Sequence, residues 1–501
     1  MSGPAGDPDG GRTDTRWRWQ APLTVLLALV MPIVVLTQAP TRAIDLLLVL
    51  QLALCAYTGA RLCSVVSAPR ISPLQGMFWL FCYTAMGIAP LVQLVVGRSP
   101  VPMPGPAEDQ VHGLLLVLVG CLAFDVGTTL HSDRRQRWAS TGSTARARRL
   151  VDIPHGRVAV FVALALAGTA LLVATLGVAA LFASREAIGN GFDAAGLSGD
   201  SQAGRATLRG IGTVPVLLAF LLLTRRLVID RPARRRPLLV AAWAVTLIAQ
   251  VLVNNPISSA RFWFVTVALS TVLVLLPRRL GAFRALLLSG VVLSLVVFPV
   301  ADRFRYDDGE GRVQRTSTVG TLAAKDYDQM NMVVNTVTYV QDGPGHTWGR
   351  QTAGHVLFWL PRSVWDSKPR DTGTIVGEYF GTANVNLSEP LWAELWIDFG
   401  LPGMLLGFLA LGYLLRRGDR WYAWAVDRGR RITTVGMIAV PVLAGYSAIL
   451  LRGSLLQAMG RLGVMVGCFV VLAAWTRRRG VPEDPDPASP ALYREPSRAL
   501  G

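Results

Sequence analysis

The sequence predicts an all-α polytopic membrane protein of about twelve transmembrane helices. Of its 501 residues, 52% are hydrophobic and only 16% charged, where a soluble chain carries roughly a quarter charged residues. Mean hydropathy is +0.42. The apolar residues also come in long blocks, and a helix needs about 20 of them to cross a bilayer core.

Taken in order, residues 1–20 form a tail, rich in Gly, Pro and Asp through residue 15, that is expected to be disordered and cytoplasmic. Nine apolar blocks follow within 21–300, at 21–37, 44–66, 74–96, 109–130, 158–182, 210–229, 237–253, 257–277 and 281–300. The first is expected to be an anchor rather than a cleaved signal peptide. Removing it would leave an odd count and break the charge alternation described next. Segment 301–397 contains no span. A three-helix region, 398–475, follows with blocks at 398–415, 432–450 and 453–475. Residues 476–501, rich in Pro, Ser and charge beyond 480, form a second disordered cytoplasmic tail.

Arginine placement orients the chain, because inner loops are enriched in basic residues. With the N-terminus inside, the inner segments hold 31 arginines and the short outer segments seven. Both termini are therefore expected to be cytoplasmic, and 301–397 becomes one large extracytoplasmic loop. That loop has nine basic and twelve acidic residues, so it adds nothing to the net charge of +17. Its stretch 321–341 has helix-like composition. An interfacial helix is expected over 347–360, with Trp359 and Trp365 at headgroup level.

The same distribution argues against nucleic-acid binding, since the cations sit in short runs between apolar blocks. Five cysteines, an odd number, all lie inside apolar blocks, so no disulfide framework is expected. No Cys/His cluster suggests a metal. Arg61, Asp125 and Arg461 fall inside spans. The first two lie near inner ends and read as structural. Arg461 lies roughly 12 Å into the last span. It is expected to face a partner or a cavity, because an unpaired arginine at that depth costs about 2.5–3.5 kcal/mol.

The outer loop holds the densest polar information: His346, Arg350 and His355, then Pro361-Arg362-Ser363-Val364-Trp365-Asp366-Ser367-Lys368-Pro369, then Glu389 and Glu394. The run Leu360–Pro369 resembles the I-P-R-x-x-W-x-x-K-P segment of Wzy-type O-antigen polymerases, also called oligosaccharide repeat-unit polymerases. The run Glu394–Gly403 resembles the E-x-x-x-x-F-G-x-x-G that opens their next span. Arg185 with Gly196, and Arg362 with Gly373, match an Arg-x10-Gly pattern of their third and fifth outer loops. Detailed resemblance covers about 60 residues, and topology carries the rest.

This resemblance implies a membrane glycosyltransferase of GT-C-like fold, related to O-antigen ligases. Its substrate would be an undecaprenyl-pyrophosphate-linked oligosaccharide, polymerised at the outer face of a bacterial cytoplasmic membrane. No cofactor is implied. The other implied partners are membrane lipids and a chain-length regulator. A departing pyrophosphate needs fixed cations, and guanidinium groups bind phosphate oxygens bidentately. Arg261, Arg350, Arg362, Lys368, Arg185 and Arg461 are the candidates for this task in a metal-independent mechanism. His346, His355, Glu389 and Glu394 are candidate bases for the acceptor hydroxyl, with Glu394 and His355 preferred because they flank the cations in sequence. Plainer readings stand beside these. Arg362 and Lys368 would snorkel to lipid headgroups, His355 would be a packed residue, Glu394 would pair with a loop arginine, and Arg185 would be ordinary loop charge. A ligase and a lipid-linked sugar flippase are the competing functions.

Overall fold

A computed structural model describes residues 14–38, 43–130, 150–182, 202–230, 232–256, 259–297, 322, 327–382, 387–429, 432–474 and 476. Among these residues the regular structure is helical, with no strand. The first six helices are α1 (Trp19–Leu36), α2 (Leu46–Ser67), α3 (Pro73–Val96), α4 (Ala107–Leu130), α5 (His155–Leu176) and α6 (Gln202–Ile229). Three shorter apolar helices follow, α7 (Pro237–Val253), α8 (Arg261–Leu275) and α9 (Leu280–Val296). The outer loop contributes α10 (Gln329–Asp342), α11 (Arg350–Val356) and α12 (Thr372–Tyr379). The chain then forms α13 (Leu391–Arg428), α14 (Gly436–Arg452) and α15 (Leu455–Ala474).

Among the described residues, eight helices are long and apolar enough to cross a membrane, namely α1 to α6, α13 and α15. Each of the twelve expected spans falls on one of these eight or on the shorter α7, α8, α9 and α14. The chain is thus a helical, multi-pass membrane protein. Its surface agrees with that. Leu164 and Leu171 on α5 and Leu238 and Ile248 on α7 are each 60–85% exposed, which suits a lipid-facing surface better than water.

Some boundaries differ from the hydropathy reading. Helix α13 is broken at Gly400, whose φ is +61°, so an outer segment from Leu391 precedes the expected span, and the helix then runs past 415. Helix α5 stops at Leu176, short of 182, where Gly177 takes φ of +77°. The expected interfacial helix over 347–360 is only α11, and it packs inward, with His355 buried. Trp359 is exposed and Trp365 half-buried. The charged segment 301–321 lies outside the described residues.

Small residues set the core. Helices α4 and α13 approach so closely that a Cβ on Gly127 would lie 2.1 Å from Leu409 O, and one on Gly412 would lie 2.0 Å from Phe124 O. Such contacts let backbones pack where no hydrophobic drive separates helix from lipid. Around them Phe78 stacks on Phe124 at 3.5 Å, and Trp392 packs on Phe408 at 4.5 Å. Helix α3 runs through this core, buried along most of its length.

Helix ends leave unpaired N–H and C=O groups, which are costly away from water. Here the chain's charged residues meet them across the bundle. Asp419 on α13 accepts the Leu74 and Gln75 N–H groups that open α3, at 2.9 and 3.0 Å. Arg284 donates to Val66 O at 2.8 Å at the end of α2. Arg278 donates to Val426 O near the end of α13, and Arg226 to Ile153 O. Arg284 and Arg278, which read as topology signals, therefore also close helix C-termini, where the dipole favours cations, whereas Arg226 meets a carbonyl of the connection before α5. Arg61 pairs with Asp125, which also accepts the Tyr57 hydroxyl.

Candidate active site

The motif segment Leu360–Pro369 folds around its own cations. Residues 357–369 form successive turns, with Leu360 N–H donating to Leu357 O, Val364 N–H to Pro361 O and Lys368 N–H to Trp365 O. Turns leave carbonyls without partners, and buried carbonyls need donors. Lys368, itself buried, supplies two bonds, to Phe358 O at 2.7 Å and Leu360 O at 2.8 Å. Arg362 donates to Lys368 O at 2.8 Å and reaches Pro369 O at 3.4 Å. Arg350 donates to Ser367 O at 2.7 Å. Burial, with Arg362 adding to it, pulls the Lys368 pKa below its ordinary value. The ammonium therefore builds the loop. Arg350 stays exposed and Arg362 half-buried, and a guanidinium has five N–H donors, so both have donors to spare.

This loop lies against α15. A Cβ on Gly463 would come within 2.4 Å of the Phe358 ring. Arg461 lies two residues earlier, about 3 Å along the helix. Its guanidinium sits 4.6 Å from the centroid of Trp263, a cation–π contact that offsets part of the cost of its depth. Trp263 in turn donates to Asn254 Oδ1 at 2.6 Å. Arg461 thus faces an aromatic partner on a different side of α15 from the motif loop. Arg261 opens α8, but its side chain lies outside the described residues, as does Arg185.

Beneath the loop lies a group of buried carboxylates. Glu394 accepts the Thr372 hydroxyl at 2.7 Å and the Leu455 N–H at 2.9 Å, so it caps α15 from the first turn of α13. One turn further, Asp398 accepts the Gln351 and Thr352 N–H groups and the Thr347 hydroxyl, and so caps α11. Asp371 accepts Ser454 Oγ at 2.7 Å and Gln457 Nε2 at 2.9 Å. Glu389 accepts the Thr336 hydroxyl at 2.6 Å, and a Cβ on Gly453 would overlap its carbonyl oxygen at 1.5 Å. Asp328 accepts the Ser388 N–H at 3.0 Å and lies 3.6 Å from Arg452.

His355 Nε2 lies 3.6 Å from Glu394 Oε2 and has no hydrogen-bond partner. Burial lowers the His355 pKa to about 4, with Asp398 opposing the shift. The imidazole is therefore neutral near pH 7, and its contact with Glu394 is not an ion pair. Burial raises the Glu389 carboxyl well above its ordinary value, and the neighbouring Glu394 adds to this. Asp371 is raised by burial as well. Glu389 Oε2 and Asp371 Oδ1 also have no partner. Unpartnered, proton-exchanging atoms thus gather around the end of α13.

His346 sits at the rim. Its Nδ1 meets Trp396 O at 2.9 Å. A carbonyl only accepts, so Nδ1 carries the proton and Nε2 is an acceptor. Trp348 beside it is 78% exposed and holds φ of +50°, unusual for a residue with a side chain. Among the described residues, no three His, Cys, Asp or Glu side chains converge as metal ligands.

Glu394 and His355, chosen from sequence, are brought together. Asp371, Asp328 and Arg452 were missed as members of the group, and nothing local marks them, since their partners lie 60 or more residues away. Compared with protein-family models, with curated proteins and with solved structures, the chain matches none.

Proposed function

We propose that this protein polymerises lipid-pyrophosphate-linked oligosaccharide units at the outer face of a bacterial cytoplasmic membrane, as a twelve-span, GT-C-like glycosyltransferase with both termini inside. The observation that carries this reading is the motif loop 360–369. Its cations clamp it into one shape against α15, and α11, which leads into it, brings His355 to Glu394.

In the proposed reaction an acceptor hydroxyl attacks the anomeric carbon of the growing chain. A C–O bond forms to the acceptor, and the C–O bond to the pyrophosphate breaks. The lipid pyrophosphate leaves with the electron pair, and the hydroxyl proton passes to neutral His355 or to the ionised form of Glu394, whose carboxyl burial raises to about 8. Arg461, Arg350, Arg362 and Arg261 supply charge for the departing phosphates, as fixed dipoles and cations do for developing charge elsewhere.

The test is reconstitution of the purified protein with a lipid-linked repeat unit. A ladder of products supports the polymerase. One addition to a different acceptor replaces it with a ligase, and movement across vesicles without new bonds replaces it with a flippase.

A further inference from the structure

A cavity of about 270 Å³ opens between α2, α3, α4, α10 and the 97–103 connection, on the far side of α10 from Glu389. Its wall mixes two kinds of surface. Leu114, Met330 and Val334 are apolar. Gln51, Gln93 and Asn331 are side-chain amides, each buried. No charged residue lines it.

The amides are pinned by their nitrogen ends. Gln51 Nε2 donates to Met86 O at 2.9 Å and Gly87 O at 2.7 Å. Gln93 Nε2 donates to Leu322 O at 3.1 Å and Tyr327 O at 2.7 Å. Carbonyl partners only accept, so in both cases the NH₂ end is fixed on the protein and the oxygen end is left over. Asn331 Nδ2 is held by Met103 Sδ at 3.2 Å, and its Oδ1 is buried with no partner. A buried acceptor without a donor is costly.

A ligand that meets the left-over Gln51 and Gln93 oxygens must donate hydrogen bonds, offer an apolar face and carry no charge, since no charged residue lines the cavity. We infer that this cavity binds an uncharged pyranose ring, its hydroxyls on the Gln51 and Gln93 amide oxygens and its apolar face on Met330 and Leu114. The inference rests on the polymerase reading in taking that ring as part of the lipid-linked unit. It narrows the substrate to one presenting a neutral sugar here, not a uronic acid or an amino sugar.

The test is ligand-observed NMR on the full-length protein in nanodiscs of phosphatidylethanolamine and phosphatidylglycerol. The probes are methyl glycosides of neutral hexoses and 6-deoxyhexoses, with methyl glucuronide and methyl glucosaminide alongside. At least one neutral glycoside is expected to bind and the two charged ones not. Gln51→Leu should weaken binding about tenfold, the worth of one buried hydrogen bond. Ser99→Trp, at the exposed mouth, should block it. The site is overturned when no neutral glycoside binds, when the glucuronide binds equally well, or when binding survives both substitutions. A farnesyl glycoside that outbinds the methyl glycoside supports a lipid-borne sugar; equal binding overturns that source. Wild-type protein that binds neutral glycosides but extends no glycan keeps the site and loses the polymerase. Extension without binding loses the site alone.

Discussion

Glu394 accepts the Leu455 N–H at 2.9 Å, so the helix that follows the outer loop caps the last helix of the chain. The same carboxylate faces His355 at 3.6 Å. Structural and chemical roles therefore meet in one side chain, and substitutions separate them. Glu394→Gln keeps an acceptor oxygen for Leu455 and should retain the wild-type melting temperature. If Glu394 is the base, glycan extension in the reconstituted assay falls at least a hundredfold, a typical share for general-base catalysis. Extension at wild-type rate removes it from that role. Glu394→Leu loses the cap and should cost about 1–3 kcal/mol in thermal unfolding.

The α14–α15 turn tolerates no side chain at Gly453. Its φ is +72°, and an added Cβ would overlap Glu389 O. Gly453→Ala should destabilise by about 3 kcal/mol, at the upper end of overpacking. Gly97→Ala is the control, with φ of +67° and nothing within 4 Å, and should cost about 1 kcal/mol. Melting curves of the two variants give the comparison.

Lys368 holds the motif loop through two carbonyls. Lys368→Met keeps most of the volume and removes both bonds, each worth about 1.5–3 kcal/mol for a charged donor. The expected outcome is proteolytic cleavage within 357–369 under conditions where the wild type resists, with unchanged helix content by circular dichroism.

Two buried groups give opposite pH dependences. The folded pKa of His355 is about 4 against an ordinary 6.5. Below 6.5 the unfolded chain takes a proton that the folded one refuses, so stability present above 6.5 is lost as pH falls toward 4, by about 3 kcal/mol. His355→Gln should flatten that acid limb. Glu389 is raised above 4.5, so its favourable contribution is complete below 4.5 and is lost as pH rises through the folded value. Glu389→Gln keeps an oxygen for Thr336 and should raise the melting temperature at neutral pH.

The outer position of the loop is tested by labelling. Ser363 is exposed, whereas Cys55, Cys63, Cys82 and Cys121 are buried and the half-buried Cys468 lies within the apolar α15. Ser363→Cys in intact cells should react with a membrane-impermeant maleimide, and the wild type should not. Labelling only after lysis would reverse the orientation and remove the polymerase reading.

Long apolar blocks were legible as helices because hydropathy alone selects them, and α7, α8 and α9 sit where the sequence put them. The partnership of His355 with Glu394 was legible only as a sequence neighbourhood around the motif. The carbonyl partners of the motif cations were not legible. A sequence shows that Lys368 is charged, but not that turns at 357–365 leave carbonyls for it. The capping of α3 by Asp419 was invisible for the same reason. The donors and the acceptor lie 345 residues apart, and neither end has a local signature.

That separation has a biosynthetic consequence. At roughly 5–20 residues per second, the ribosome needs on the order of half a minute to travel from Leu74 to Asp419. Over that interval the opening turn of α3 waits at the membrane without its acceptor. The N-terminal half can therefore be inserted early but locks only when α13 arrives. Translation stalled before residue 419 should yield a bundle that is threaded through the bilayer and still loose at its centre.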